Sequence, residues 1–213
     1  MRARAPAPRT AFRVQRSEAG AVESIAGDRH AWRFRPHFHA GDEVVRMLAG
    51  RARLWLPAGA CMVRAGDTVT VPAGTVHRFE PVDRYGWAFA SEFVPNPRVP
   101  PATESGDTLG AQARALLVRR SSLHTDVESV AQACGVSAGH LARAFRRETG
   151  TGLHNFHVLL ALHRAKALLR RHVPVAEVAL DAGFYDQAHL NREFVRTFGM
   201  TPATFRAGWA LAG

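Results

Sequence analysis

The sequence predicts a two-domain protein, an all-β barrel or sandwich followed by an all-α domain with two helix-turn-helix units joined by a linker helix. Three observations predict it. Residues 17–94 are broken into short, turn-bounded apolar runs of strand texture. A proline-rich stretch, PNPRVPPATESGD over 95–107, then separates that half from the rest. Beyond it the texture becomes helical, and one pattern occurs twice. Val130, Ala131 and Gly135 recur as Val178, Ala179 and Gly183, and His140, Leu141, Arg143, Phe145, Arg147 and Gly150 recur as His189, Leu190, Arg192, Phe194, Arg196 and Gly199. The first group repeats at an offset of 48 and the second at 49, so one residue is inserted at the start of the second unit's recognition helix. Self-similarity at a fixed period marks a repeated supersecondary unit.

Composition narrows the class. With 213 residues, 46% hydrophobic and 22% charged, the chain has room for one or two ordinary globular cores. Net charge is +10, of which 13 Lys+Arg against 7 Asp+Glu fall in 109–213 and 15 against 11 in 1–108. Such a surplus suits a polyanion, and equally an arginine-rich proteome, since Lys166 is the sole lysine. Cys61 and Cys134 lie in different halves without ligand-like spacing, which fits a reducing cytoplasm. No run of 18 apolar residues predicts a membrane span. Residues 1–16, MRARAPAPRTAFRVQR, lack the apolar centre of a signal peptide and are expected to form a disordered basic tail.

Within 17–94, strands are expected around 32–34, 44–48, 53–56, 68–71 and 87–93, with turns at Pro57-Ala58-Gly59 and Ala65-Gly66-Asp67. Two constellations carry chemistry: His37-x-His39-x₃-Glu43-x₆-Gly50 and Gly66-x₅-Pro72-x-Gly74-x₂-His77. Residues two apart on a strand share a face, so His37 and His39 can point into one barrel. Glu43 joins them from an adjoining strand and His77 from a strand paired elsewhere. Three imidazoles and one carboxylate suit one divalent transition metal; the same side chains can also line a metal-free pocket for a small molecule. Trp32, Trp55 and Trp87 are candidates for an effector pocket or for the core.

Both spacings resemble the two motifs of the cupin fold, a small jelly-roll β-barrel. The resemblance implies His37, His39, Glu43 and His77 as metal-ligand positions. The chain departs from it at Ala31, where the first motif usually begins with glycine, and at Pro81, where the second usually ends with asparagine.

In the second half, 109–120 forms a first helix, and a helix-turn-helix follows at about 126–148. The amphipathic stretch 153–171, with Phe156, Leu159, Leu160, Leu162, Leu168 and Leu169, is a linker helix about 28 Å long. A second helix-turn-helix occupies about 175–198. There Val175, Val178, Ala179 and Ala182 mark the apolar face of its first helix, Gly183 supplies the turn, and Leu190, Phe194 and Phe198 bury the second. Thr201-Pro202 starts a last helix, with threonine capping and proline at the first helical position.

From Gly183-Phe184 through His189-Leu190, Arg192, Phe194, Thr197-Phe198-Gly199 and Thr201-Pro202 to Phe205-Arg206, the chain resembles AraC-family transcription regulators. The resemblance covers about 109–209 and implies a seven-helix domain that binds double-stranded DNA in two successive major grooves. Carried over position by position, it implies base reading by Ser137, Gly139, Ala142 and Arg143 of the first unit. The second unit offers Asp186, Gln187, Ala188, Asn191 and Arg192. Arginine suits guanine, and Gln187 or Asn191 suits adenine. Arg146, Arg147 and Arg196, further along, suit phosphates. His140 and His189 are expected to pack or to touch phosphate. Ala161 stands where the linker helix usually has an arginine, removing one polar tether between the two units.

The expected function is that of a cytoplasmic DNA-binding transcription regulator. Its barrel senses a small molecule or metal and modulates DNA binding or contact with RNA polymerase. The alternatives are a metal-dependent cupin enzyme fused to a DNA-binding domain, and an architectural DNA-binding protein with an inert barrel. The short linker leaves little room for dimerisation helices, so a monomer or weak homodimer is expected.

Overall fold

The computed structural model describes residues 9–17, 20–30, 34–82, 85–95, 107–120, 123 and 126–212. Its strands are β1 (Arg9–Ser17), β2 (Gly20–His30), β3 (Asp42–Leu56), β4 (Gly59–Arg64), β5 (Thr68–Val71), β6 (Arg78–Pro81) and β7 (Trp87–Val94). They pair in the order β1-β2-β7-β3-β4, with β5 and β6 also on β3. The long β3 organises the barrel. Its first part pairs β7 through Asp42↔Val94 to Gly50↔Trp87, while Glu43–Arg46 also pairs β5. Its second part, from Arg51, pairs β4 and β6. The change of partners falls at Gly50, whose φ is +75° and where a Cβ would run into the Gly86 carbonyl oxygen. Val45, Met47, Leu54, Phe79, Trp87 and Phe89 fill the interior.

One expectation is corrected here. The second half of the supposed tail is strand β1, paired with β2 from Arg9↔Asp28 to Ser17↔Gly20. The barrel therefore begins at Arg9, not at 17. The physical reason lies in the alternation Phe12-Arg13-Val14-Gln15, with Phe12 stacked on Phe205 at 4.9 Å between centroids. Trp32, Ala31 and linker residues 96–106 lie outside the described residues. Pro81 ends β6, where the missing backbone donor costs the sheet little.

The helices are α1 (Leu109–Val118), α2 (Val127–Ala133), α3 (Ala138–Thr149), α4 (Leu153–Arg170), α5 (Val175–Asp181), α6 (Gln187–Phe198) and α7 (Pro202–Ala210). The repeat is visible in the caps. Ser137 and Asp186 cap α3 and α6, accepting from the backbone N–H of His140 and His189. Gly150 and Gly199 close the same helices in the left-handed conformation, at φ 75° and 72°. Leu141 and Phe145, like Leu190 and Phe194, are fully buried against α4, whose Leu159, Ala161, Leu162 and Ala165 are themselves inaccessible. Ala161 is packed tight, and the polar tether comes from one turn further on, where Arg164 donates to the Ala182 carbonyl at 3.1 Å.

The helical core does not stop at the domain boundary. Phe38 and Val76 of the barrel belong to the same buried cluster as Phe156, Phe198 and Phe205. Phe38 stacks on His163 at 4.4 Å and on Phe156 at 5.6 Å.

Candidate functional site

Residues 34–39 run into the barrel just before β3 and carry two of the histidines. His37 forms an isolated bridge with His77, with backbone bonds in both directions at 2.9 and 2.8 Å. The His39 carbonyl accepts from the Gly74 N–H at 2.9 Å, and Asp42 accepts from the Ala73 N–H at 2.8 Å. These bonds pin the two sequence motifs together. Glu43 enters from the start of β3, between β5 and β7.

The result is a closed cluster. His37, His39, Glu43 and His77 are all buried, and ligand atoms of the three imidazoles lie within 4.8 Å of one another. Glu43 Oε2 stands 2.8 Å from His77 Nε2 and 3.5 Å from His39 Nε2. His37 and His77 point Nδ1 at backbone carbonyls, of Arg35 at 2.8 Å and Thr75 at 3.0 Å. A carbonyl only accepts, so each ring donates Nδ1–H outward and turns the Nε2 lone pair inward, the orientation typical of a metal-bound histidine. His77 Nε2, Glu43 Oε2 and both ring nitrogens of His39 are buried without a hydrogen bond. Two lone-pair atoms 2.8 Å apart call for a proton or a cation to reconcile them.

Electrostatics favour neutral His37 and His39 beside an ionised Glu43. Burial, reinforced by His77, pushes the His37 imidazole down to about 3. Burial, then His37 and His77, pushes His39 well below its usual range. For Glu43 burial acts upward, but His77, His37 and the Ser91 hydroxyl outweigh it and hold the carboxyl low. Neutral imidazoles and a carboxylate are what a metal ion binds. The three imidazoles are grouped closely enough to hold one metal ion, with the Glu43 carboxylate beside them.

Space in the barrel is limited. The cavity beside His37, His39 and Glu43 holds about 30 Å³, and Trp87 and Phe198 help to close it. That is close to one water molecule and far below the several hundred Å³ of an organic ligand site. Trp87 belongs to this interior. Trp55 faces another cavity, of about 220 Å³, beside Pro36, His77 and Gly150, and donates to Glu80 at 2.8 Å. Trp55 and Trp87 thus line different cavities.

The helices that the sequence assigns to DNA are open. Gly139, Ala142, Arg143, Arg146 and Arg147 on α3 are exposed, as are Gln187, Ala188, Asn191, Arg192 and Arg196 on α6. Ser137 and Asp186 are exposed as well, and Ser137 Oγ and Asp186 Oδ1 each cap their helix, at 3.3 and 2.6 Å. His140 is exposed, whereas His189 is half-buried and meets the ring of Phe184 edge-on at 5.3 Å.

Sequence reasoning missed the contacts that join the two sites. Along 34–39 the imidazoles turn into the barrel while the intervening groups hold the helices. Arg35 pairs with Glu193 of α6 at 2.6 Å, the Pro36 carbonyl accepts from Asn155 of α4 at 3.0 Å, and the Phe38 carbonyl bonds His163 at 3.0 Å. Thr197 and Phe198, at the end of α6, line the barrel cavity itself. A second link is Glu23 of β2, which binds Lys166 and Arg170 of α4 and Trp209 of α7.

A buried histidine–carboxylate centre in a β-barrel, docked on a double helix-turn-helix, defines a two-domain binding protein. Comparison with known proteins agrees. Residues 27–83 match the cupin domain and residues 130–208 a helix-turn-helix domain. The chain is 31% identical over 120 residues to the HTH-type transcriptional regulator GlxA of Rhizobium meliloti, covering 53% of this chain and 37% of that protein. It is 35% identical over 86 residues to the arabinose operon regulatory protein of Salmonella typhimurium, covering 40% and 31%. It thus spans about a third of the length of these curated relatives. A solved AraC-type DNA-binding protein from Chromobacterium violaceum is 26% identical, covering 49% of this chain and 95% of that one at a TM-score of 0.45. The chain thus matches a cupin domain followed by a helix-turn-helix domain, and the curated proteins it resembles here are named as transcription regulators. No helix of the described residues is long and apolar enough to cross a membrane.

Proposed function

We propose that the protein is a sequence-specific, cytoplasmic DNA-binding transcription regulator whose barrel centre holds a divalent transition metal and biases how α6 meets DNA. The observation that carries this is the double use of residues 34–39. The same six residues present His37 and His39 to the barrel and fasten α4 and α6 through Arg35, Pro36 and Phe38. A bound ion supplies positive charge to the converging lone pairs of His37, His39, Glu43 and His77. Those four residues then hold the loop in one position, and the loop positions the recognition helix. Coupling of this kind requires that the two states of the loop differ in DNA affinity.

On DNA, α3 and α6 enter successive major grooves. Arg143, Gln187, Asn191 and Arg192, with Gly139, Ala142 and Ala188 allowing close approach, read bases; Arg146, Arg147 and Arg196 hold phosphates. The names of the relatives favour regulation over catalysis, and RNA polymerase is the partner through which a DNA-bound regulator acts. Val94 and Leu109 are close in sequence, which leaves no length for long dimerisation helices and supports a monomer or weak homodimer.

Elemental analysis of the purified chain beside a His37→Ala, His77→Ala double variant tests the centre, and selection from random duplex DNA tests the helices. We expect about one metal per chain, lost in the variant, and an enriched two-part motif. Metal-free wild-type protein after loading, or no enrichment, contradicts the corresponding half of the proposal.

A further inference from the structure

An organic ligand has no room in the barrel lumen, whose cavity is about 30 Å³. A larger space lies where the two domains meet. It measures about 560 Å³, within the usual range of small-molecule sites, and is walled by β2 and β7 on one side and by α4 and α7 on the other. His39 lines both this crevice and the barrel cavity, so an occupant would sit beside the histidine centre.

The chemistry of the walls is specific. Glu23 is saturated: Oε1 accepts from Arg170 Nε and Nη2 at 2.9 and 2.7 Å and from Trp209 Nε1 at 3.0 Å, and Oε2 accepts from Lys166 at 2.9 Å. The cations are not saturated. That bond takes one of the three N–H groups of Lys166, whose ammonium otherwise faces the rings of Phe93, Phe198 and Phe205 at 5.8, 5.1 and 5.0 Å. Lys166 is nine-tenths buried, so it cannot turn to bulk water for its remaining partners. Arg16 and Arg170 both lie over the ring of Trp209, at 5.8 and 5.3 Å. Two cations, Lys166 and Arg170, thus line the crevice against one carboxylate, Glu23. The remaining wall is apolar, from Ala21, Ala40, Phe93 and Pro95.

We propose that this interdomain crevice binds a small organic carboxylate, its anionic head on Lys166 and Arg170 and its hydrocarbon body against Ala21, Ala40 and Phe93. An occupant would touch β2 and β7 as well as α4 and α7, so it would set the two domains relative to each other. That regulatory consequence rests on the function proposed above; the binding itself does not.

The test is isothermal titration of the full chain, freed of metal by a chelator, with hexanoate and with hexanamide, which has the same body and no charge. Hexanoate should bind once per chain with a Kd of about 1 mM or tighter, and hexanamide at least about tenfold more weakly. Arg170→Gln should weaken hexanoate by about tenfold or more. Ala21→Phe fills the crevice from the barrel side while leaving Glu23, Lys166 and Arg170 in place, and should abolish binding while the circular dichroism and melting temperature stay at wild-type values. No hexanoate binding, equal binding of hexanoate and hexanamide, or undiminished binding by Ala21→Phe overturns the site. DNA affinity of the same samples separates the two claims. A chain that binds hexanoate but no DNA keeps the site and sinks the regulator; one that binds DNA but no hexanoate does the reverse.

Discussion

Replacing Glu23 by glutamine keeps the shape of the side chain and removes the counter-charge from the junction between the domains. Burial alone would raise its carboxyl, but Lys166 and Arg170 outweigh that and hold it at about 2, against an ordinary 4.5. At about 1.4 kcal/mol for each pH unit, that difference corresponds to about 3 kcal/mol, the range found when one partner of a buried ion pair is removed. The sign follows from the direction of the shift. A carboxylate whose folded value is depressed stabilises the fold above its unfolded value and loses that effect as pH falls toward its folded value. Wild type should therefore exceed Glu23→Gln by about 3 kcal/mol at pH 7 in urea unfolding, and the gap should narrow steadily between pH 4.5 and about 2. Trp209, one of four tryptophans, donates to Glu23 at this junction. A gap below about 0.5 kcal/mol at pH 7, or one that does not change with pH, refutes the idea that this carboxylate ties the domains together.

Other perturbations separate the roles assigned to individual residues. Arg192→Ala should cost about 1–3 kcal/mol of binding and relax selectivity at one base pair, whereas Arg147→Ala should weaken all sequences alike and flatten the salt dependence; fluorescence anisotropy on matched and mismatched duplexes distinguishes these. Gly50→Ala forces a side chain into the left-handed region against the Gly86 carbonyl and should cost about 1–3 kcal/mol in thermal unfolding, with a loss under about 0.5 kcal/mol counting against the strain at that corner. Glu193→Gln frees Arg35 and Arg196 and should leave the melting temperature within about 2 °C while changing DNA affinity, since it loosens the loop's hold on α6; an unchanged affinity removes this contact from the coupling path.

Much of this molecule was legible in its sequence because the signals are local. The doubled spacing of Val130–Gly150 and Val178–Gly199 located both helix-turn-helix units, and the alternate histidines with Glu43 located the centre, because helical and strand periods put those residues on one face. What stayed hidden was long-range. Arg35 meets Glu193 across 158 residues and Glu23 meets Lys166 across 143, and no periodicity encodes such a pair. Strand β1 was hidden for a related reason: its arginines read as a solvated tail until Phe12 has Phe205 to stack on. Ser137 and Asp186, singled out by position for base reading, also sit at the residue where a helix needs an acceptor for its first free N–H.

The central claim is that the histidine centre and the DNA-reading helices form one coupled device. Its most direct measurement is the Kd of the full chain for a selected duplex, by fluorescence anisotropy, before and after loading chelator-treated protein with a divalent transition metal. The account predicts a shift of about fivefold or more, absent in the His37→Ala, His77→Ala variant. An unchanged Kd with metal demonstrably bound would contradict it.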